Sequence, residues 1–217
     1  MERIICIVIG YIFGLFQTGY IYGKLNHVDI RDYGSGNAGT TNVMRTLGKK
    51  AGIITYLVDA LKAVFSAIVI HFIFGKNSDC EMLLFLYSGL GVVLGHNFPF
   101  YLKFKGGKGI AASSGVVVSL LLFPKHCWIL TVLGIITFVS VTYISKYVSL
   151  GSLVFIGAFF IEMIIYAVNG WLPLAGSDLY EALVLVFIIT VLAFIRHHGN
   201  IKRLINGTER KIGQHKK

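Results

Sequence analysis

Seven apolar runs order this chain: residues 4–23, 52–74, 81–98, 110–123, 127–144, 148–168 and 179–195. Most approach the roughly 20 residues that a helix needs to cross a bilayer, while 110–123 falls short and reads as tilted or buried among its neighbours. In the first run Gly10/Gly14 and Gly19/Gly23 repeat at i, i+4, which gives one continuous helix a small-residue face for close packing. The run lacks a small-residue cleavage site behind it and reads as a retained span. The pattern predicts an all-α, seven-helix polytopic bundle in a single domain, 1–217.

Polar chemistry is confined to the connections. Residues 24–51 are polar, and Gly34 to Asn42 is almost all Gly, Ser, Asn and Thr. That composition predicts a turn and then a short helix capped by Thr41 or Asn42, carrying Arg45 and ending at Gly48. The stretch Gly95-His96-Asn97-Phe98-Pro99 to Lys103-Phe104-Lys105-Gly106-Gly107-Lys108-Gly109 packs three lysines and three glycines into its last seven residues. Glycines let successive N–H groups converge on an anion, and the following helix aims its own N–H groups at the same place. The spacing is not that of a Walker A loop. A basic loop that merely orients the helices is the alternative. The tail, from Arg196-His197-His198-Gly199-Asn200 to Glu209, puts Ile201, Leu204 and Ile205 on one face of a short interfacial helix. Inside the spans, Asp59 and Lys62 stand at i, i+3. They read as an ion pair that locks helices together, with direct substrate contact as the alternative. Glu162 is a third ionisable residue in a span, without a role the sequence explains.

Composition narrows the class. The 217 residues are 55% hydrophobic and 14% charged, with a mean hydropathy of +0.74, which marks an integral membrane protein. Net charge is +10, but the basic residues are scattered between apolar runs, which speaks against nucleic acid. With the N-terminus outside, sixteen Lys and Arg fall on the inner side: Lys24, Arg31, Arg45, Lys49, Lys50, Lys103, Lys105, Lys108, Lys146 and seven in the tail. The outer side holds Arg3, Lys76 and Lys125. This bias predicts an N-out, C-in chain. It brings the Ser/Asn/Gly loop, the lysine–glycine loop and the tail to one cytoplasmic face. Cys6, Cys80 and Cys127 lie near the opposite face without metal spacing, and a Cys80–Cys127 pairing stays open.

The shared face offers Ser35, Asn37, Thr41, Asn42, Arg45, His96, Lys105, Lys108, His197, Asn200 and Glu209. Cations with hydroxyl and amide groups suit an anionic, phosphate-bearing, hydroxylated ligand, and the adjoining helices suit an acyl chain. No G-x-S-x-G elbow, H-E-x-x-H or C-x-x-C is present.

Three segments together resemble the cytoplasmic motifs of the bacterial acyl-phosphate-dependent glycerol-3-phosphate acyltransferases: Ser35 to Arg45, Gly95-His96 through Gly109, and Arg196 to Leu204 with Gly207 and Glu209. Asp59-x-x-Lys62 and Tyr147-Val148-Ser149-Leu150 also match, so the resemblance spans the chain in order. It implies acyl transfer from acyl phosphate to the 1-hydroxyl of sn-glycerol 3-phosphate, the first step of phospholipid synthesis, in a bacterial plasma membrane. It also implies a functional link to an enzyme that makes acyl phosphate, and no cofactor or metal. By the same resemblance Ser35, Arg45 and Lys108 hold phosphate, and His197 and Asn200 orient the acceptor. The Gly106, Gly107 and Gly109 backbone would cradle the donor phosphate. Two positions depart from the pattern: His198 stands where the family has a basic residue, and Ala63 where it often has glycine. A transporter of a phosphorylated metabolite is the rival reading, but the chain shows no internal repeat and few ionisable residues in its spans.

Overall fold

The computed structural model describes residues 1–74, 80–123 and 126–214, and every element in them is helical. The expected turn after residue 74, the Pro124 stop and the charges at Lys76, Lys125, Lys216 and Lys217 lie outside the described residues. Ten α-helices follow in order: α1 Glu2–Gly14, α2 Thr18–Leu25, α3 Thr40–Leu47, α4 Lys49–Phe74, α5 Glu81–Asn97, α6 Ile110–Ser119, α7 Trp128–Ser145, α8 Val148–Val168, α9 Gly176–Arg196 and α10 His198–Ile205. Among the described residues six stretches are long and apolar enough to cross a membrane: Glu2–Leu25, Lys49–Phe74, Glu81–Leu102, Trp128–Ser145, Val148–Val168 and Gly176–Arg196. The remaining apolar run, Ile110–Leu122, is shorter than these and consists of α6 extended by a 3-10 turn at Leu120–Leu122.

Helix α5 is the hub. Nearly all its residues are buried, and it packs on α1, α4, α6 and α9. Its contact with α1 is backbone to backbone. A Cβ on Gly10 would stand 2.0 Å from the Ser88 carbonyl oxygen, and one on Gly91 would stand 2.2 Å from that of Ile7. Gly14 and Gly95 face each other one turn further on in the same way. Without a hydrophobic driving force inside lipid, such close approach is what holds two helices together. Ala63 fits where the family often has glycine, because Gly115 of α6 supplies the small partner opposite it.

The first apolar run is not one helix. It breaks at Leu15–Gln17, and a buried polar cluster fills the break. The Lys62 ammonium donates to the Phe16 carbonyl (3.0 Å) and to Asp59 Oδ1 (3.1 Å), and the Gly14 carbonyl shares in its hydrogens at 3.3 Å. Thr18 Oγ1 donates to the same carboxylate oxygen at 2.9 Å, and Gln17 Nε2 reaches the carbonyls of Gly14, Gly95 and His96. Freed backbone carbonyls inside a membrane need internal donors, and these side chains provide them. The Asp59/Lys62 pair therefore does lock helices, as the i, i+3 spacing suggests. The same break turns α2 so that Gly19 packs on the Ala38 carbonyl and anchors the loop that follows.

Replacing Lys62 with Met should strand the Asp59 carboxylate and two carbonyls in a dry interior. A loss of about 3–5 kcal/mol is expected, read as a lowered melting temperature in detergent. The double variant Lys62→Met/Asp59→Asn should recover part of it. A Lys62→Met protein as stable as the parent would show that the break is held by packing alone.

Candidate active site

The polar loop after α2 is folded by its own side chains. Asp29 caps the 3-10 turn Ile30–Asp32 by accepting from the Arg31 amide (3.1 Å), and it pairs with the Arg31 guanidinium at 2.8 Å. The Arg31 hydrogen bond, opposed by burial, holds this carboxyl far below the usual carboxylate range. Asn42 closes the loop. Its Nδ2 donates to the carbonyls of Ile30 and Tyr33, and its Oδ1 accepts from the Ser35 amide at 2.8 Å. Gly34 has φ +63°, and a Cβ there would stand 2.1 Å from that Oδ1. Asn42 is thus a scaffold residue before it is a ligand for substrate. Nor do Thr41 or Asn42 cap α3. The N-cap is Gly39, whose amide is held by Asn37 Oδ1 at 2.8 Å, while the C-terminal stop at Gly48 is as expected.

In the lysine–glycine loop, the amides of Gly106 and Gly107 donate to the carbonyls of Asn97 (3.2 Å) and His96 (3.0 Å). Both glycines press against His96: a Cβ on Gly107 would meet its Nε2 at 2.0 Å, and one on Gly106 its carbonyl oxygen at 2.0 Å. Their carbonyls accept from the Arg196 guanidinium, which also stacks on the Phe98 ring. The expected cradle of Gly106, Gly107 and Gly109 is corrected accordingly. The first two glycines seal the loop onto α5 and leave the N-terminal end of α6, from Gly109 on, to face a ligand. Lys105 is solvent-exposed and lies outside the cleft, as does Lys103.

The tail completes the site. His197 is the joint between α9 and α10 and is buried, with Nδ1–H donating to the Ala193 carbonyl at 2.7 Å. Burial, and then the Lys108 charge, push this imidazole down to about 4. It is neutral at pH 7, with its Nε2 lone pair free to accept. Asn200 accepts from the Lys108 ammonium and donates to Glu209 Oε1 at 2.8 Å. Ser149 Oγ donates to the same oxygen at 2.9 Å, and Arg203 Nε donates to Oε2 at 2.7 Å. Burial alone would raise the Glu209 carboxyl, but these hydrogen bonds bring it below its ordinary value. Burial lowers Lys108 to about 8, with Glu209 opposing and Arg203, Arg196 and Arg45 adding to the fall.

These parts surround one cleft of about 440 Å³. Of the residues expected from the sequence, Ser35, Asn37, Thr41, Asn42, Arg45, His96, Lys108, Gly109, His197, Asn200 and Glu209 line it, and Lys105, Gly106 and Gly107 do not. The N-terminal ends of α3 (Gly39, Thr40, Thr41) and α6 (Gly109, Ile110, Ala111) both open into it. Arg203 and Arg210 add charge that the sequence reading treated only as orientation signal, and His198 lines the mouth. Ser149 is a further lining residue, and its place in the Tyr147–Leu150 stretch was the available signal. One wall is apolar, with Ile110, Ala111, Phe138 and Val148. Among the described residues no group of three or more His, Cys, Asp or Glu is placed to hold a metal ion.

Known proteins resemble this chain over nearly its whole length. The family model described as glycerol-3-phosphate acyltransferase matches residues 4–207. The glycerol-3-phosphate acyltransferase of Clostridioides difficile (strain 630) is 42% identical over 98% of this chain and 97% of its own length. That of Shouchella clausii (strain KSM-K16) is 39% identical over 99% and 98%. The crystal structure of PlsY (YgiH), an integral membrane glycerol 3-phosphate acyltransferase, in its glycerol 3-phosphate form superposes with a TM-score of 0.81 at 31% identity, covering 98% of this chain and 96% of that one. The lysphosphatidic acid form gives 0.79 at 30% identity, with the same coverage. A cationic cleft built from three distant loops, matched over nearly the whole length, leads to one conclusion: the chain belongs to the glycerol-3-phosphate acyltransferase family.

Proposed function

We propose that this protein transfers an acyl group from an acyl phosphate to the 1-hydroxyl of sn-glycerol 3-phosphate, releasing phosphate. The observation that carries the reading is the convergence of Arg45, Lys108, Arg203, Arg210 and two helix N-terminal ends on one cleft with an apolar wall. Two phosphates and one acyl chain match that inventory. The relatives crystallised in glycerol 3-phosphate and lysphosphatidic acid forms supply the acceptor and the product class. Within this reading Ser35, Arg45 and Lys108 hold phosphate, and Asn200 and Glu209 fix Lys108 and Arg203 in place.

The chemistry needs positioning more than a covalent nucleophile, because an acyl phosphate is a mixed anhydride with a good leaving group. The 1-hydroxyl oxygen bonds to the acyl carbon, and the bond from that carbon to the phosphate oxygen breaks. The departing phosphate takes the hydroxyl proton and leaves as hydrogen phosphate. Before the step His197 Nε2 accepts the hydrogen bond of the hydroxyl and aims its oxygen; as the new C–O bond forms, that hydrogen turns to the departing phosphate. Lys108, which burial lowers to about 8, is held fully charged beside phosphate.

The membrane setting follows the charge bias: N-terminus outside, cleft facing the cytoplasm, in a bacterial plasma membrane. Phe123, just past α6, packs on Phe85 in the second turn of α5, with ring centroids 5.5 Å apart. This contact supports reading the short α6 segment as a seventh crossing in one domain. A cleft open to the inner side can receive acyl phosphate from a cytoplasmic enzyme that makes it.

The donor assignment is checked by offering the purified protein glycerol 3-phosphate with acyl phosphate, acyl-CoA or acyl carrier protein, each alone. Turnover with acyl phosphate only is expected, and robust activity with acyl-CoA alone would sink it. Topology is checked in a background lacking native cysteines: an impermeant thiol reagent added to intact cells should label Ser177→Cys and spare Lys202→Cys, and the reverse pattern refutes the orientation. For His197, Gln carries a polar group near the Nε2 position, so His197→Gln should keep measurable turnover while His197→Ala loses far more. Because its pKa is depressed, the neutral form persists as pH falls and the orienting contact is lost only near pH 4. An acid limb near 6.5 in kcat, with both variants equally dead, would make His197 the general base instead.

A further inference from the structure

The cleft has a floor whose chemistry differs from its rim. Asp59 and His96 both line it, and both are almost fully buried, at 1% and 2% exposure. Asp59 Oδ1 is occupied by Thr18 and Lys62. Its Oδ2 is buried and has no partner among the described residues. An ionised carboxylate only accepts, so this oxygen calls for an O–H or N–H from a ligand. His96 supplies the complement. Lys62 Nζ lies 2.8 Å from His96 Nδ1. An ammonium has no lone pair and can only donate, so the His96 proton sits on Nε2 and that nitrogen is a donor. Asp59 Oδ1 and His96 Nδ1 are 3.8 Å apart. The two side chains thus adjoin at the atoms turned to Lys62, and beyond them each keeps one further polar atom, the Asp59 Oδ2 acceptor and the His96 Nε2 donor that packs on Gly107. That is the complement of a neutral hydroxyl, which donates once and accepts as well.

We propose that Asp59 and His96 recognise the 2-hydroxyl of the acceptor, the hydroxyl that is not acylated, with Lys62 as the residue that sets their polarity. The assignment rests on the reading above, in which glycerol 3-phosphate is the acceptor and His197 aims its 1-hydroxyl. The electrostatics decides between the two hydroxyls. The reacting one must meet the donor phosphate, which needs cations, and it belongs beside Lys108, Asn200 and His197. A carboxylate such as Asp59 repels that phosphate and suits the hydroxyl held away from it. The floor thus fixes which end of the glycerol is presented for acylation. Asp59 touches substrate through one oxygen and holds the broken first span through the other, while Lys62 acts on substrate only through its neighbours.

The probe is 3-hydroxypropyl phosphate, which keeps the phosphate and the terminal hydroxyl of glycerol 3-phosphate and lacks the 2-hydroxyl. Equilibrium binding of both compounds to the detergent-solubilised protein, without donor, is compared with kcat/KM for each. The wild type should favour glycerol 3-phosphate by roughly 10- to 100-fold, the range for a hydrogen bond to a charged group. Asp59→Asn keeps an Oδ1 for Thr18 and Lys62 but puts an Nδ2 donor where Oδ2 accepted, and should shrink the ratio to roughly threefold or less, as expected when the charged acceptor is lost. A wild type that binds both compounds equally overturns the proposal, with no variant required. So does an Asp59→Asn protein that weakens both compounds alike with the ratio intact, since that is what a purely structural role gives. Should that variant not fold, His96→Gln, with an amide near the Nε2 position, should hold the ratio and His96→Asn should lose it. The binding arm contains no donor, so a failure of the acyl-phosphate assignment appears only in turnover and leaves the floor to stand or fall by itself.

Discussion

A lysine ammonium buried between two halves of a broken helix is the constraint on which the rest of this protein depends. A continuous first span would satisfy its backbone internally and would not bend. Breaking it at Leu15–Gln17 frees carbonyls in a dry interior, where each unmet polar group costs several kcal/mol. Lys62 and Gln17 meet those of Gly14 and Phe16 at 3.0–3.3 Å, and Asp59 neutralises the charge brought in to do so. The bend that results turns α2 toward the polar loop, and Gly19 lets that loop settle on the helix. Through this cluster the packing of α1 on α5, a matter of glycines, is tied to the position of Ser35 and Arg45, a matter of chemistry.

A second carboxylate organises the opposite wall. Five cationic side chains, Arg45, Lys108, Arg196, Arg203 and Arg210, line one cleft in close company, which like-charge repulsion makes unfavourable. Glu209 joins them through Asn200 to Lys108 and directly to Arg203, and Ser149 holds its other side to α8. The arrangement fixes the cations where phosphate oxygens can reach them and leaves their charge only partly compensated. Burial first, and then this remaining repulsion, lower both Lys108 and Arg45, and a phosphate bound as proposed would offset the repulsion. Such preorganisation is the usual source of electrostatic stabilisation in catalysis.

What the sequence could show divides along physical lines. Apolar runs and small-residue spacing located the long helices closely, with 148–168 matching α8 end to end, because span length and hydropathy are properties of contiguous residues. The convergence of three loops on one face followed from charge bias alone. The break in the first span was not visible, since its cause is a lysine 45 residues beyond Gln17. Nor could the pattern separate glycines that seal a loop from those that face a ligand: Gly106 and Gly107 are glycine because His96 lies against them, and Gly109 because its φ is +87°. Asn42 reads as a ligand in sequence and turns out to hold the Ile30, Tyr33 and Ser35 backbone together.

The two histidines show why composition under-determines such a site. Both are buried in the same cleft, yet their neighbours give them opposite hydrogen-bonding faces. The Ala193 carbonyl draws the His197 proton to Nδ1 and leaves Nε2 as an acceptor, whereas the Lys62 ammonium occupies the His96 Nδ1 lone pair and leaves Nε2 as a donor. A ligand with one group to give and one to receive is therefore held in a single orientation by residues of identical type. Helix termini and cations attract phosphate wherever they occur, so they set affinity for an anion. On the proposed reading, the direction in which the glycerol lies is set by these neutral contacts, and they exist only because a backbone carbonyl and a buried lysine, neither of which need touch substrate, have fixed where two protons sit.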